Sequence, residues 1–317
     1  MPVLFAYLAV ILIWSSTPLA IQLSQQELPF YTSLSFRMWG SALLSLPLLF
    51  LFKQSLAFNR KALISYLAGA IGVYGAMMFV YWGANYVPSG LISVMYGLSP
   101  MLSGLLGYFW LKERELTPIR VLSLLLGVLG LYVVVVGQLT LGGQAWRGIV
   151  GTLLSVMCFS ASAVAVKHVN AGLNPLVQTS GTLWVSSIGF VLTLPFFGIE
   201  IPPNVSLMNW FGLGYLVTCG SLLGFILYFY ILKHLPTARV ALITLIAPVL
   251  AMSWGNLLKG EVMSLESILG CVVLLCALGL YQWHQRFDSA LSRIMSKLSR
   301  IFVSSHSKNR NGSHGDG

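Results

Sequence analysis

The 317-residue chain is 57% hydrophobic and only 8% charged, against about 25% charged residues in an average soluble domain, so it has too little polar surface for a soluble globular fold. Its formal net charge of +10 does not point to nucleic acid, because the basic residues fall between apolar blocks and in the C-terminal tail, where they orient a membrane protein. Cys158, Cys219, Cys271 and Cys276 lie in apolar segments with neither a CxxC nor a metal-ligand spacing, so they read as free thiols, and no metal or other cofactor is expected.

The N-terminal apolar stretch lacks a basic leader, and Ile13-Trp14-Ser15-Ser16 is no small-residue cleavage site. It reads as a first span rather than a signal peptide. Ten apolar blocks follow in order, approximately 3–23, 30–52, 63–84, 87–110, 119–137, 148–167, 176–197, 211–232, 236–258 and 266–284. Each is close to the roughly 20 residues that take a helix across about 30 Å of hydrocarbon. The breaks carry turn and cap residues, as at Leu28-Pro29, Asn59-Arg60-Lys61, Leu116-Thr117-Pro118, Asn174-Pro175 and Pro202-Pro203-Asn204. A helix satisfies its own backbone hydrogen bonds in lipid, and the alternation of a barrel strand is absent. The predicted fold is an all-α integral membrane protein of ten transmembrane helices.

Of the 18 Lys and Arg residues, Arg37 lies within a span and only Arg147 and Lys259 fall in segments across the membrane from the N-terminus. This bias predicts that both termini and the 53–62 loop are cytoplasmic and the 198–210 loop outside. In the tail, Phe287, Leu291, Ile294, Leu298, Ile301 and Phe302 recur at helical spacing, with Arg293, Lys297 and Arg300 on the other side. That pattern is a basic amphipathic helix suited to the anionic inner leaflet. The Ser/Asn/Gly-rich end after Ser304 is expected to be disordered.

The chain also repeats. Pro88/Pro236, Pro100/Pro248 and Glu113/Glu261 share one offset of 148 residues, as do Gly72/Gly220 and Tyr81/Phe229. Trp14-Ser15-Ser16-Thr17 aligns with Phe159-Ser160-Ala161-Ser162. Residues 1–137 and 138–284 then form two five-helix repeats, followed by the cytoplasmic tail 285–317. Five is odd, so the second repeat must be inverted, a common plan of secondary transporters.

Candidate site residues follow from depth and type. Trp14, Ser15 and Ser16 lie within span one, Tyr81 in span three, Tyr96 and Ser99 in span four and Thr244 in span nine. Aromatic walls with a few fixed polar groups suit a small amphipathic metabolite, although such residues also serve as interfacial belts and interhelix contacts. Arg37 sits about 10 Å into span two, where a charge needs a partner or water; it could meet a substrate carboxylate, but a structural role, snorkelling outward or tying down backbone carbonyls, is the favoured reading. Pro100 and Pro248 each lie 12 residues after the proline that opens their span, roughly 18 Å along the helix and near mid-membrane. Each frees the carbonyl four residues earlier, at Tyr96 and Thr244, and so predicts a kink that could act as a gating hinge. No Asp or Glu lies mid-span, which leaves no deep carboxylate proton relay. Gly220/Gly224 is a GxxxG pair, suited to packing within the chain or to a homodimer face.

These residues carry a resemblance. The Trp14-Ser15-Ser16 element, Arg37, and the stretch Ser89–Glu113 (SGLISVMYGLSPMLSGLLGYFWLKE) with its proline and closing Lys-Glu resemble the EamA-type ten-span members of the drug/metabolite transporter superfamily. The resemblance covers about 1–284, and Lys259-Gly260-Glu261-Val262 is a looser version of the closing element. It implies ten helices around a central cavity and transport, often export, of amino acids or other small metabolites across the inner membrane. The expected function is thus a secondary transporter working by alternating access, with a passive channel or a non-transporting sensor as the alternative. An intramembrane enzyme would need a nucleophile with its base or a metal cluster, and HExxH, GxSxG and a Cys/His dyad are all absent. A thiol introduced into the tail should react with an impermeant reagent only after cells are opened; labelling from outside intact cells would refute the predicted orientation.

Overall fold

A computed structural model describes residues 3–110, 117–139, 144–224, 226, 227, 230, 231, 243–261 and 264–283. Helix α1 is Val3–Ser24 and α2 is Phe30–Leu51. Helix α3, Arg60–Ala70, begins where the Asn59 side chain accepts from the Ala62 N–H at 2.9 Å, and runs through a π-helical segment, Ile71–Gly75, into α4, Ala76–Gly83. Helix α5 is Ser89–Tyr96 and α6 is Ser99–Trp110; α7 is Pro118–Leu139 and α8 is Ala145–Val169. Helix α9, Pro175–Phe197, has Asn174 as its cap and proline in its first turn, where a missing N–H costs nothing. Helix α10, Leu207–Tyr215, is capped by Ser206 and continues as a second π-helical segment, Leu216–Leu223. Helices α11, Ile243–Lys259, and α12, Leu265–Gln282, complete the described chain, which contains no strand among these residues.

Among the described residues, seven helical stretches are long and apolar enough to cross a membrane: Val3–Ser24, Phe30–Leu51, Arg60–Gly83, Ser89–Trp110, Ala145–Val169, Pro175–Phe197 and Leu265–Gln282. Pro118–Val134 and Leu207–Leu223 are shorter apolar stretches. The tail from residue 284, and with it the expected amphipathic helix, lies outside the described residues, as do Glu113, His234 and Pro236.

Polarity is turned inside out. Phe50, Phe196 and Leu207 are more than four-fifths exposed, while Ser15, Ser33, Ser41 and Ser45 are fully buried. Large apolar side chains can stand outward at no cost only in contact with lipid. Several buried hydroxyls return to their own helix: Ser41 Oγ donates to the Arg37 carbonyl at 2.7 Å, and Thr152 Oγ1 to that of Gly148 at 2.8 Å. Others tie neighbours together, as Ser162 Oγ does by donating to the Ala68 carbonyl at 2.8 Å.

The helices pack in exchangeable pairs. Helix α1 lies on α11 as α8 lies on α6; α1 meets α10 as α8 meets α3 and α4; and α2 meets the second π segment as α9 meets the first. The pairs α2–α9, α5–α11 and α7–α12 map onto themselves when the halves are swapped. The two π segments are also in register, since the 148-residue offset carries Ile71–Gly75 onto residues 219–223. Gly220 and Gly224 face their own chain: a Cβ on Gly224 would lie 3.3 Å from Ile13 and Trp14 of α1.

The α7–α12 contact is backbone against backbone. A Cβ added to Gly270 would fall 2.6 Å from the Val134 nitrogen and 2.8 Å from the Gly130 carbonyl. By contrast, nothing lies within 4 Å of the corresponding point on Gly214. Gly270→Ala should therefore destabilise the detergent-purified protein by about 1–3 kcal/mol, read as a lower unfolding temperature. Gly214→Ala, which only removes a helix-weakening glycine, should leave it unchanged or slightly higher.

Candidate functional site

A cavity of about 180 Å³ lies where α1, α2, both π segments, the α5–α6 junction, α8 and α11 converge. The π segments form part of its wall through Gly72 and Val73 in the first half and Gly220 and Ser221 in the second. A π turn shifts the hydrogen-bond register and strands carbonyls. Next to the first one, α8 supplies donors: Ser155 Oγ reaches the Ala76 carbonyl at 2.6 Å and itself pairs with the Tyr96 hydroxyl at 2.6 Å. The π turn, α8 and the end of α5 are thereby locked into one wall.

The fourth span breaks beside this wall. Helix α5 ends at Tyr96, Gly97 N–H turns back to the Ser93 and Val94 carbonyls, and α6 starts at Ser99. The span is thus interrupted within one turn before Pro100, whose missing N–H leaves the Tyr96 carbonyl without its helical partner. Pro248 does lie inside a continuous helix, α11, and lines the cavity.

Arg37 is the only charged side chain in the lining among the described residues. It is 3% exposed. Its Nε donates to Ser221 Oγ at 3.1 Å, and Nη1 donates to the Tyr81 hydroxyl at 3.3 Å and contacts Met77 Sδ at 3.9 Å. The guanidinium carbon lies 5.9 Å from the Tyr81 ring centroid. No carboxylate pairs with it among the described residues, and Nη2, beside Gly220, has no hydrogen-bond partner there.

The sequence-derived candidates divide. Trp14, Arg37, Tyr96, Ser99 and Pro248 line the cavity together. Ser15, Ser16 and Tyr81 stand behind it. Ser15 accepts from Trp254 Nε1 at 3.2 Å, Ser16 pairs with the Tyr215 hydroxyl at 2.6 Å, and Tyr81 is fully buried beneath Arg37. Pro100 is not in the wall, and the Thr244 side chain lies outside the described residues. Sequence reasoning missed Met38, Met77, Phe159, Leu183 and Ser221. The repeat contained the signal for some of them: Phe159 aligns with Trp14, and the same 145-residue shift places Leu183 on Met38.

One end of the bundle is tied together by polar contacts. Gln22 Nε2 donates to the Ala84 and Val87 carbonyls at 3.2 and 2.8 Å, and its Oε1 accepts from Lys259 Nζ at 2.7 Å. Glu261 caps α5, accepting from Ser89 N–H and Oγ, both at 2.9 Å, where a carboxylate also meets the positive end of the helix dipole. Glu27 accepts from the Ser206 N–H at the same end.

The EamA-like transporter family matches the chain at residues 1–136 and again at 146–282. The chain is similar to an uncharacterized transporter of Archaeoglobus fulgidus, 26% identical across 67% of this chain and 75% of the relative. It is also similar to an uncharacterized inner membrane transporter, YedA, of Escherichia coli K12, 25% identical across 83% and 85%. YoaV, an uncharacterized transporter of Bacillus subtilis, is 22% identical across 87% and 95%. One solved crystal structure shares the fold, with a TM-score of 0.59, covering 87% of this chain and 94% of its own at 20% identity.

The polar clamp generates a direct test. With the native cysteines replaced, a thiol at Ile21 in the cavity wall should react slowly with a thiol reagent in detergent. Gln22→Ala removes the group that joins Lys259 to the 84–87 turn, and should speed that reaction about tenfold, the population shift that one lost charge-assisted hydrogen bond produces.

Proposed function

The chain belongs to the EamA-like transporter family, and from that premise we propose that it is a secondary carrier exporting small metabolites, amino acids or related compounds among them, across the inner membrane by alternating access. The observation that carries this reading is a cavity whose walls come in co-registered pairs from the two halves: Trp14 with Phe159, Met38 with Leu183, and Gly72 with Gly220.

Ten spans in two inverted repeats, 1–137 and 138–284, account for several facts together. The family matches twice, the packing pairs exchange between halves, and the π segments share a register. Such an arrangement allows one half to rock against the other around a fixed site. The distribution of Lys and Arg supports both termini in the cytoplasm, with the 285–317 tail on the anionic inner leaflet. The end held by Gln22 and Lys259 then faces outward, where these contacts brace the bundle. Because one chain encloses the cavity, a homodimer would serve assembly rather than complete the site.

In proteoliposomes the protein should show saturable uptake and counterflow of its substrate, whereas linear flux without counterflow would indicate the channel reading. Pro248→Ala should restore the N–H that the Thr244 carbonyl lacks, giving a folded protein. Its counterflow should fall well below that of the parent, since the gap that Pro248 leaves in the hydrogen-bond ladder of α11 beside the cavity would be closed. An unchanged rate would assign Pro248 to packing alone.

A further inference from the structure

We infer that the cavity selects organic monoanions, binding the carboxylate of a small, largely apolar acid at Arg37 and discriminating against zwitterions and amines. This rests on the carrier reading and narrows it, replacing the amino acids named there by acids that carry no ammonium group.

The charge at Arg37 is buried and lacks a counter-ion among the described residues, where a buried cation is strongly disfavoured unless an anion or a full set of acceptors meets it. Its neighbours are neutral: a serine, a tyrosine and a methionine take three of its donor directions, and Nη2 is left without a partner. Ser99 Oγ, also in the wall, is buried and likewise unpartnered. The site therefore offers unused donors around a single positive charge. An ammonium would find no carboxylate in the described lining.

The repeat argues against a purely architectural role for the arginine. Under the shift that pairs Met38 with Leu183, Arg37 falls on Thr182, which lies outside the lining and accepts from Gln178 Nε2 at 3.1 Å. If the scaffold required this charge, the equivalent position in the other half would be expected to carry one. Instead the two halves supply a matched apolar shell, and one half alone supplies the charge.

The remaining wall sets size and character. Trp14, Phe159, Met38, Ile92 and Leu183 are apolar, and about 180 Å³ is close to the roughly 150 Å³ of an engineered cavity that takes benzene. One ring or a short alkyl chain with a carboxylate fits this shape.

The test uses the full-length purified protein and three near-isosteric probes: 3-phenylpropionate, its amide, and phenylalanine. Ligand-induced thermal stabilisation, titrated at neutral pH, should show the carboxylate acting at a concentration at least about tenfold lower than either of the others. Arg37→Gln should abolish that preference, and Arg37→Lys should retain part of it while losing the directed fork. The inference is overturned if the amide or the zwitterion stabilises the wild-type protein as well as the acid. It is equally overturned if none of the probes binds, or if a folded Arg37→Gln protein keeps the preference. Because the comparison of probes on the wild-type protein suffices by itself, a variant that fails to fold does not rescue the idea. Counterflow is read separately, so a carrier that prefers neutral or zwitterionic substrates would sink this inference and leave the carrier reading intact.

Discussion

In hydrocarbon there is no water to complete a broken backbone hydrogen bond, and each bare N–H or carbonyl costs several kcal/mol. Long uninterrupted helices are the direct response, and most of this chain obeys. The departures are informative because each must be repaid from inside the bundle. The π turn at Ile71–Gly75 has Ser155 and Ser162 of α8 donating to the carbonyls on either side of it. The break between α5 and α6 closes through Gly97 and Leu98 N–H groups that turn back on the Ser93, Val94 and Met95 carbonyls. The π turns and this break both adjoin the cavity, so irregular backbone appears where protein surrounds a site and is scarce on the lipid-facing surface.

Much of the scaffold was legible in the sequence, because a spanning helix announces itself by the length of an apolar run and a cap by a single side chain. The seven long stretches match the expected blocks to within about three residues at each end, and Asn59, Asn174 and Ser264 cap helices at block boundaries. The site was legible in part. Trp14, Arg37, Tyr96 and Ser99 could be picked by type and depth, but depth does not say which way a side chain turns. Ser15 and Ser16 follow Trp14 along one helix and so point elsewhere, toward Trp254 and Tyr215. Pro100 and Pro248 look equivalent in sequence, yet the helix is interrupted ahead of the first and runs unbroken through the second, because the same missing N–H can be met by different local backbone. The π turns had no sequence signal beyond a pair of glycines in register.

Two principles of construction meet at the cavity. Near-symmetry gives both halves similar walls, as in the pairs Trp14 with Phe159 and Met38 with Leu183. The charge comes from one half alone: Arg37 is held by Tyr81 on its own half and by Ser221 on the other. The guanidinium is gripped by both halves, because its hydrogen bond to Ser221 spans the seam between them.

The tight contact between α7 and α12 bears on how the protein is made. Gly130 and Gly270 bring these helices into backbone contact, yet one begins at Pro118 and the other ends at Gln282. A ribosome releases the chain at about 5–20 residues per second, so α7 enters the bilayer well before its partner exists. Until then the side of α7 that carries Gly130 must face lipid or an insertion factor. Helix α12 thus closes this side late, and a chain cut short before it would leave α7 without its backbone contact and exposed to membrane quality control.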